Sequence, residues 1–101
     1  MQYLVELYAP RPETGSMEAA AIRARTTAEQ MTCGGKPIRY LRSIFVPEDE
    51  TWFHLYEADS PEAVAEASAR TGVPFERIVE AVQVVASGAG SLEAKEDEDE
   101  T

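Results

Sequence analysis

Two kinds of hydrophobic pattern occur along this chain and divide it into six segments. Residues 2–8 are rich in side chains that favour strands, whereas Met17, Ala20, Ala24 and Ala28 recur at helical spacing. Proline, glycine and acidic clusters separate the segments. The pattern predicts strands at residues 2–8, 38–46, 51–57 and 78–85 and helices at residues 17–32 and 61–72.

The expected helix ends carry capping signals. Ser16 is placed to cap the first helix, and the glycine pair at 34–35 tolerates the backbone that ends it. The Ser-Pro-Glu sequence at 60–62 combines a capping hydroxyl, a proline at the first helical position and an acid near the positive end of the helix dipole. Gly72, with Pro74 two residues beyond, marks the end of the second helix.

The resulting order, βαββαβ, predicts an α+β domain of the ferredoxin-like kind. Right-handed crossovers place both helices on one face of a four-stranded antiparallel sheet. We expect this domain to span residues 1–86. Residues 87–101 are rich in glycine, serine and acids and are expected to form a disordered acidic tail.

The other face of the predicted sheet has no helix to cover it. If Phe53 and Leu55 lie beneath the helices, the alternate residues of the same strand, with His54 at their centre, face outward. The preceding strand is oriented so that Arg42 is not buried against the helices. These assignments predict an open face that carries Leu4, Glu6, Tyr8, Tyr40, Arg42, Ile44, Trp52, His54 and Tyr56.

A face with this many aromatic residues is expected to be covered by a partner or a ligand. Two-fold stacking of the sheet on a second copy would cover it, which predicts a homodimer. The polar groups Glu6, Arg42 and His54 would then need partners in a partly dry cavity. We therefore predict a ligand site with aromatic walls, formed by Glu6, Tyr8, Tyr40, Arg42, Trp52, His54 and Tyr56.

The candidate chemistry centres on His54, the only histidine in the chain. It is the one imidazole available for acid–base chemistry or metal binding, or else an interface histidine satisfied by Glu6 or a tyrosine. Glu6 and Arg42 either position an anionic ligand or activate water, or they form an interfacial ion pair. Cys33 is the only cysteine, which excludes an internal disulfide and a cysteine zinc site, and we expect it to be structural rather than reactive.

The charge pattern excludes several classes of partner. The formal net charge is -10, and half of the excess lies in residues 93–100, which hold six acids and one lysine. No basic stripe is present, which argues against nucleic acid and against an anionic membrane surface. The absence of a signal peptide and of an apolar run of ~20 residues predicts a cytoplasmic protein, with the tail serving solubility rather than loose cation binding.

A family resemblance rests on several stretches taken together. Residues 40–58 read YLRSIFVPEDETWFHLYEA, with YLVE at 3–6, SPEAV at 60–64 and TGVPFERI at 71–78. This pattern resembles the domain of unknown function 4242 family of small bacterial proteins. The resemblance implies ferredoxin-like dimers and, for some relatives, nickel binding.

The resemblance also bears on metal ligands. Many relatives carry a histidine where this chain has Arg42 and a cysteine where it has His54, while Glu6 matches the acid of the first strand. With one imidazole per chain, a nickel or zinc site would have to recruit Glu6, His54 and both subunits.

From these observations we favour a non-catalytic, dimeric protein that binds a small ligand or a divalent metal such as nickel on the open face. Glu6 and His54 would be the ligands of the metal, with Arg42 as a charge partner. One alternative is a cofactor-independent oxygenase or isomerase, in which His54 acts as base and Arg42 stabilises an enolate-like anion. Another alternative is a docking surface for a different protein.

Overall fold

The computed structural model describes residues 1–9 and 15–86, and within these ranges it contains four strands, two α-helices and one 3₁₀-helix. Residues 87–101, where the disordered tail is expected, lie outside the described residues, so the predicted domain boundary stays a prediction. The elements are β1 (Gln2–Tyr8), α1 (Ser16–Cys33), β2 (Ile38–Val46), the 3₁₀-helix (Pro47–Asp49), β3 (Thr51–Ala58), α2 (Pro61–Thr71) and β4 (Arg77–Ala81).

The four strands form one antiparallel sheet in the order β2-β3-β1-β4. A tight connection through the 3₁₀-helix joins β2 to β3, whereas α1 and α2 each link strands that have another strand between them. The two helices pack on each other and on the same side of the sheet. The predicted ferredoxin-like α+β architecture is therefore confirmed. No helix within the described ranges is long and apolar enough to cross a membrane.

Three of the four predicted helix ends are observed. The Ser60 hydroxyl accepts a hydrogen bond from the Ala63 backbone N–H at 3.2 Å, and Gly72 ends α2 with φ 78°. The glycine pair at 34–35 ends α1, with Gly35 at φ 93°. The prediction for Ser16 was wrong, because the helix already includes it and Gly15, at φ 90°, occupies the cap position.

The core lies between the sheet and the helices, and its two sides contribute side chains of different size. The buried face of α1 is mostly alanine, with Met31 near its end, and α2 adds Val64 and Ala67. Small helical side chains leave space that large sheet side chains must fill, since protein interiors are close-packed. The sheet fills it with Tyr3, Val5, Leu7, Ile38, Trp52 and Tyr56.

The last strand is shorter than predicted. The sequence pattern predicts a strand at 78–85, but β4 ends at Ala81. Ala81 pairs with Gln2, the first residue of β1, so the sheet offers no neighbour for the residues that follow. Strand propensity alone does not make a strand where no pairing partner is present.

Candidate functional site

The structure separates the predicted site residues onto two faces of the sheet. Val5 of β1 lies in the core and pairs directly with His54, which places His54 on the helix side. Glu6 pairs with Phe53, which places both on the open face. The prediction that His54 shares the open face with Glu6 and Arg42 was therefore wrong.

The same correction applies to the aromatic neighbours of His54. Trp52 and Tyr56 lie beneath the helices with it, and Phe53 and Leu55 take the open face instead. Both alternating sets of β3 are apolar and aromatic, so periodicity alone does not decide which set is buried. The prediction that Phe53 and Leu55 lie beneath the helices leaves His54 outward, yet its exposed fraction is 5%.

A bulge in β2 accounts for a second difference. The register shifts by one residue between Tyr40, which pairs with Tyr56, and Arg42, which pairs with Leu55. An extra residue in a strand reverses the alternation beyond it. Tyr40 consequently faces the helices, contrary to the prediction, while Arg42 is on the open face as predicted.

Because of the bulge, Ser43 faces the helices and pairs with His54 across the ladder. The Ser43 Oγ is 2.6 Å from His54 Nδ1 and 2.5 Å from the Tyr40 hydroxyl. In the tautomer protonated at Nε2, His54 Nδ1 accepts a hydrogen bond from Ser43. The three side chains form a polar chain within an otherwise apolar layer. Its hydrogen bonds offset the free-energy cost of burying the imidazole.

The surroundings of His54 favour its neutral form. Its ring makes edge contacts with Trp52, at 4.5 Å between centroids, and with Tyr40, at 5.7 Å. Burial lowers the pKa of His54 to about 4. The imidazole is therefore uncharged at neutral pH, and it is a weak base compared with a solvent-exposed histidine.

Tyr56 lies beside this chain but does not join it. Its ring is 5.8 Å from that of Tyr40, and its hydroxyl has no hydrogen-bond partner among the described residues. Burial, with a smaller contribution from the charge of Tyr40, raises the pKa of Tyr56 above its usual value. Tyr56 therefore remains a neutral phenol at physiological pH.

A cleft of about 430 Å³ lies between the first half of α1 and β2, beside the polar chain. Tyr40 and Ser43 line it together with the apolar side chains of Met17, Phe45 and Trp52. Glu18 and Arg42 also line this cleft. Its volume is in the range typical of small-molecule sites.

The open face carries the remaining predicted site residues, each in a different setting. Glu6 accepts a hydrogen bond from Arg77 Nε at 2.6 Å. The Tyr8 hydroxyl donates to Glu50 at 3.2 Å, and this contact with a carboxylate raises the pKa of Tyr8. Arg42 is exposed and lies opposite Leu55.

Apolar side chains occupy the middle of the open face. Leu4 lies between Leu55 on one side and Val79 on the other, and Phe53 lies beside Ile44. Ion pairs border this apolar region, one between Glu6 and Arg77 and one between Arg39 and Glu57 at 3.1 Å. The open face is thus apolar at its centre and charged at its margins, although its aromatic content is lower than predicted.

The predicted metal pair does not fit this arrangement. Glu6 and His54 point to opposite sides of the sheet, so the two side chains of one chain cannot bind the same ion. No group of three His, Cys, Asp or Glu side chains in the described part of the chain is placed to hold a metal ion. The predicted enzyme arrangement, with both groups on the open face, is not observed either, since His54 faces the helices and Arg42 lies opposite Leu55 on the edge strand β2.

The fold defines a small ferredoxin-like protein, and comparison with known proteins gives its family. The family described as nickel responsive protein SCO4226-like matches residues 3–81, and the chain belongs to this family. The predicted link to the domain of unknown function 4242 family stays a prediction. No curated protein matches the chain.

A solved structure with a similar fold is that of SCO4226 from Streptomyces coelicolor A3(2). The TM-score is 0.65 at 19% sequence identity, and the match covers 84% of this chain and 100% of that one. At this level of sequence identity, the structural similarity is evidence for a shared fold.

Proposed function

We propose that this protein is a homodimeric binding protein without catalytic chemistry of its own, linked to nickel response as its family name indicates. Two copies pair through their open sheet faces, and each copy holds a small molecule in the cleft between α1 and β2. The observation that carries the proposal is the apolar centre of the open face, over which the described residues place no helix or strand.

The composition of the open face supports pairing with a second copy. Ile44 is 49% exposed in the single chain and lies next to Phe53. Leu4 and Val79 lie on the same face, on the two strands farther from β2. An apolar centre with a charged margin is the usual organisation of a protein interface. The margin carries both signs of charge, so the same surface on a second copy is complementary to it.

Analytical ultracentrifugation of the full chain tests the pairing. The wild type is expected to sediment as a dimer at micromolar concentration, and Ile44→Lys is expected to give a monomer, because it places a charge in the apolar centre. Ile22→Lys is the matched control: Ile22 is 47% exposed but lies on α1, on the other side of the molecule. A monomeric wild type, or dimers of equal stability in both variants, would contradict the proposal.

The polar chain of Tyr40, Ser43 and His54 supports the proposed ligand site. Tyr40 and Ser43 present hydroxyl groups beside apolar walls, and the neutral His54 behind them fixes the orientation of Ser43. A small ring with one hydrogen-bonding group matches this lining. Because His54 is neutral and weakly basic, the cleft is suited to binding rather than to acid–base catalysis.

Phenol is a suitable probe of this cleft, and NMR titration with ¹⁵N-labelled protein gives the readout. We expect shifts of the Trp52 indole N–H, the single indole of the chain, and of the Tyr40 and Ser43 amides. Ala21→Phe should abolish them, because Ala21 lines the cleft, whereas the exposed Ala19 of the same helix does not and Ala19→Phe should preserve them. Shifts that persist in Ala21→Phe would place the binding elsewhere.

Nickel itself is not assigned to a centre in the described residues. Nickel favours imidazole and carboxylate ligands, but the one imidazole is buried and its Nδ1 is engaged by Ser43. The Glu6 carboxylate is engaged by Arg77. The proposed role in nickel response therefore does not depend on a His54–Glu6 ion site.

A further inference from the structure

The direction of the hydrogen bonds in the polar chain depends on which imidazole nitrogen carries the proton. Ser43 lies between the other two members, with its Oγ bonded to His54 Nδ1 and to the Tyr40 hydroxyl. If Nδ1 carries the proton, His54 donates to Ser43, and one hydroxyl hydrogen of the pair is left over for the cleft. If Nε2 carries it, Ser43 donates to His54 and Tyr40 donates to Ser43, so that neither hydroxyl has a hydrogen left.

The acid–base properties of the three groups favour the second direction. A phenol is more acidic than an aliphatic alcohol and is the stronger donor, while a neutral imidazole nitrogen is the strongest acceptor of the three. Burial lowers the pKa of His54 to about 4, so its ring carries one proton at neutral pH and keeps an acceptor nitrogen. Donation from Tyr40 to Ser43 and from Ser43 to His54 therefore joins the strongest donor to the strongest acceptor, and each bond strengthens the other.

The cleft between α1 and β2 meets the outer end of this chain, since Tyr40 and Ser43 are part of its lining. With both hydroxyl hydrogens directed inward, the chain offers a ligand only oxygen lone pairs. Glu18 and Arg42 also line the cleft, but both side chains are exposed, and water screens their charges. The chain is therefore the main source of polar selectivity, and it accepts hydrogen bonds without donating any.

We infer that the cleft selects neutral ring molecules that donate a hydrogen bond, such as phenols and alcohols, and discriminates against ketones and ethers of the same shape. The inference rests on the proposed ligand site and adds the chemical class of its ligand. A ketone in this cleft would direct its lone pairs at those of Tyr40 and Ser43, and these acceptors would lose the hydrogen bonds that water gives them. A site arranged to bond a ligand hydroxyl strongly rejects the analogue that lacks it.

Cyclohexanol and cyclohexanone test the selection, because the two rings are achiral, uncharged and nearly equal in shape and differ in the donor. NMR titration of the ¹⁵N-labelled full chain with each, followed at the Trp52 indole N–H, gives two dissociation constants. The ketone is expected to bind about tenfold more weakly than the alcohol. A donor in the lining, such as the indole N–H itself, serves both ligand oxygens alike, so the ratio of the two constants reports the ligand's own donor.

His54→Phe reverses the expected selection. Without the imidazole, Tyr40 and Ser43 share one hydrogen bond between two hydroxyls, and the second hydrogen becomes free to donate to a ligand. The ratio of the two dissociation constants should then fall to about one. Tyr56→Phe is the matched control and should keep the wild-type ratio, because Tyr56 is a buried neighbour whose hydroxyl has no partner among the described residues. A ratio that is the same in His54→Phe as in the wild type would overturn the inference.

The imidazole ¹⁵N chemical shifts of the wild type give a second test that requires no variant. His54 is the only histidine, so both signals are assigned to it directly. We expect a protonated Nε2 and an unprotonated Nδ1. A proton on Nδ1, or a ketone that binds as tightly as the alcohol, would overturn the donor selection while the cleft remains a ligand site. Absence of shifts with phenol, cyclohexanol and cyclohexanone alike would overturn the proposed ligand site and this inference together.

Discussion

The burial of His54 predicts a specific loss of stability in mild acid. The folded chain holds the pKa of His54 at about 4, whereas an unfolded histidine titrates near 6.5. Above pH 6.5 the imidazole is neutral in both states and has no effect. As the pH falls through 6.5 towards 4, the unfolded chain binds a proton that the folded chain does not, so the folded state loses stability.

The size of this effect follows from the two pKa values. The full penalty, reached below pH 4, is about 3 kcal/mol, since one pKa unit corresponds to about 1.4 kcal/mol. Between pH 7.5 and pH 5.0 the His54 contribution is about 2 kcal/mol. With an m-value of about 1 kcal/mol/M, this lowers the urea midpoint by roughly 2 M.

Urea unfolding followed by circular dichroism at pH 7.5 and 5.0 measures the effect, with His54→Gln as the comparison. His54 is the only histidine, so the variant removes all imidazole titration while the carboxylates still titrate. The variant should lose about 2 kcal/mol less than the wild type over this pH interval. If the two proteins lose the same stability within about 0.5 kcal/mol, His54 is not a buried neutral imidazole and the reasoning is refuted.

Four other variants and one titration test the local structure by unfolding free energies and calorimetry. Ser43→Ala should cost about 2 kcal/mol, because it removes the hydrogen-bond partner of a buried imidazole nitrogen; a loss below about 0.5 kcal/mol would contradict the polar chain. Tyr40→Phe should cost about 1 kcal/mol of unfolding free energy. Tyr56→Phe should be neutral or stabilising, because the Tyr56 hydroxyl has no partner among the described residues. Equal losses in the two variants would be inconsistent with the structure. Ser60→Ala should cost about 1 kcal/mol through loss of the α2 cap, and an unchanged unfolding midpoint would argue against the cap. In nickel titration by calorimetry, His54→Gln should give the same heats as the wild type, and loss of the heats in this variant would show that His54 does bind the metal.

The helices and the strand order could be predicted from the sequence because their signals are local. The Ser-Pro-Glu start of α2, the glycines that end both helices and the acidic turn before β3 each have a chemical effect within a few residues. Combined with right-handed crossovers, these signals leave few ways to arrange six elements. The short β4 could not be predicted in this way, because its end depends on where β1 begins.

The faces of β3 could not be predicted from its own alternation. Trp52, His54 and Tyr56 are as suitable for burial as Phe53 and Leu55 once Ser43 provides a partner for the imidazole. A usable signal was present in α1, whose buried residues are mainly alanine. A helix with such small contacts needs large residues opposite it, which favours the tryptophan and tyrosine set.

The single extra residue in β2 also has a consequence for comparing this chain with its relatives. Positions before the bulge and positions after it follow opposite in–out parities; a chain without Leu41 would keep Arg42 opposite Leu55 and Ser43 opposite His54, with a regular ladder in place of the bulge. An alignment whose gap near the bulge is misplaced by one position would therefore equate an interior side chain with a surface side chain. Ligand residues of relatives should therefore be assigned to positions of β2 by their ladder partner, that is, by the residue opposite Leu55 or His54, rather than by alignment column.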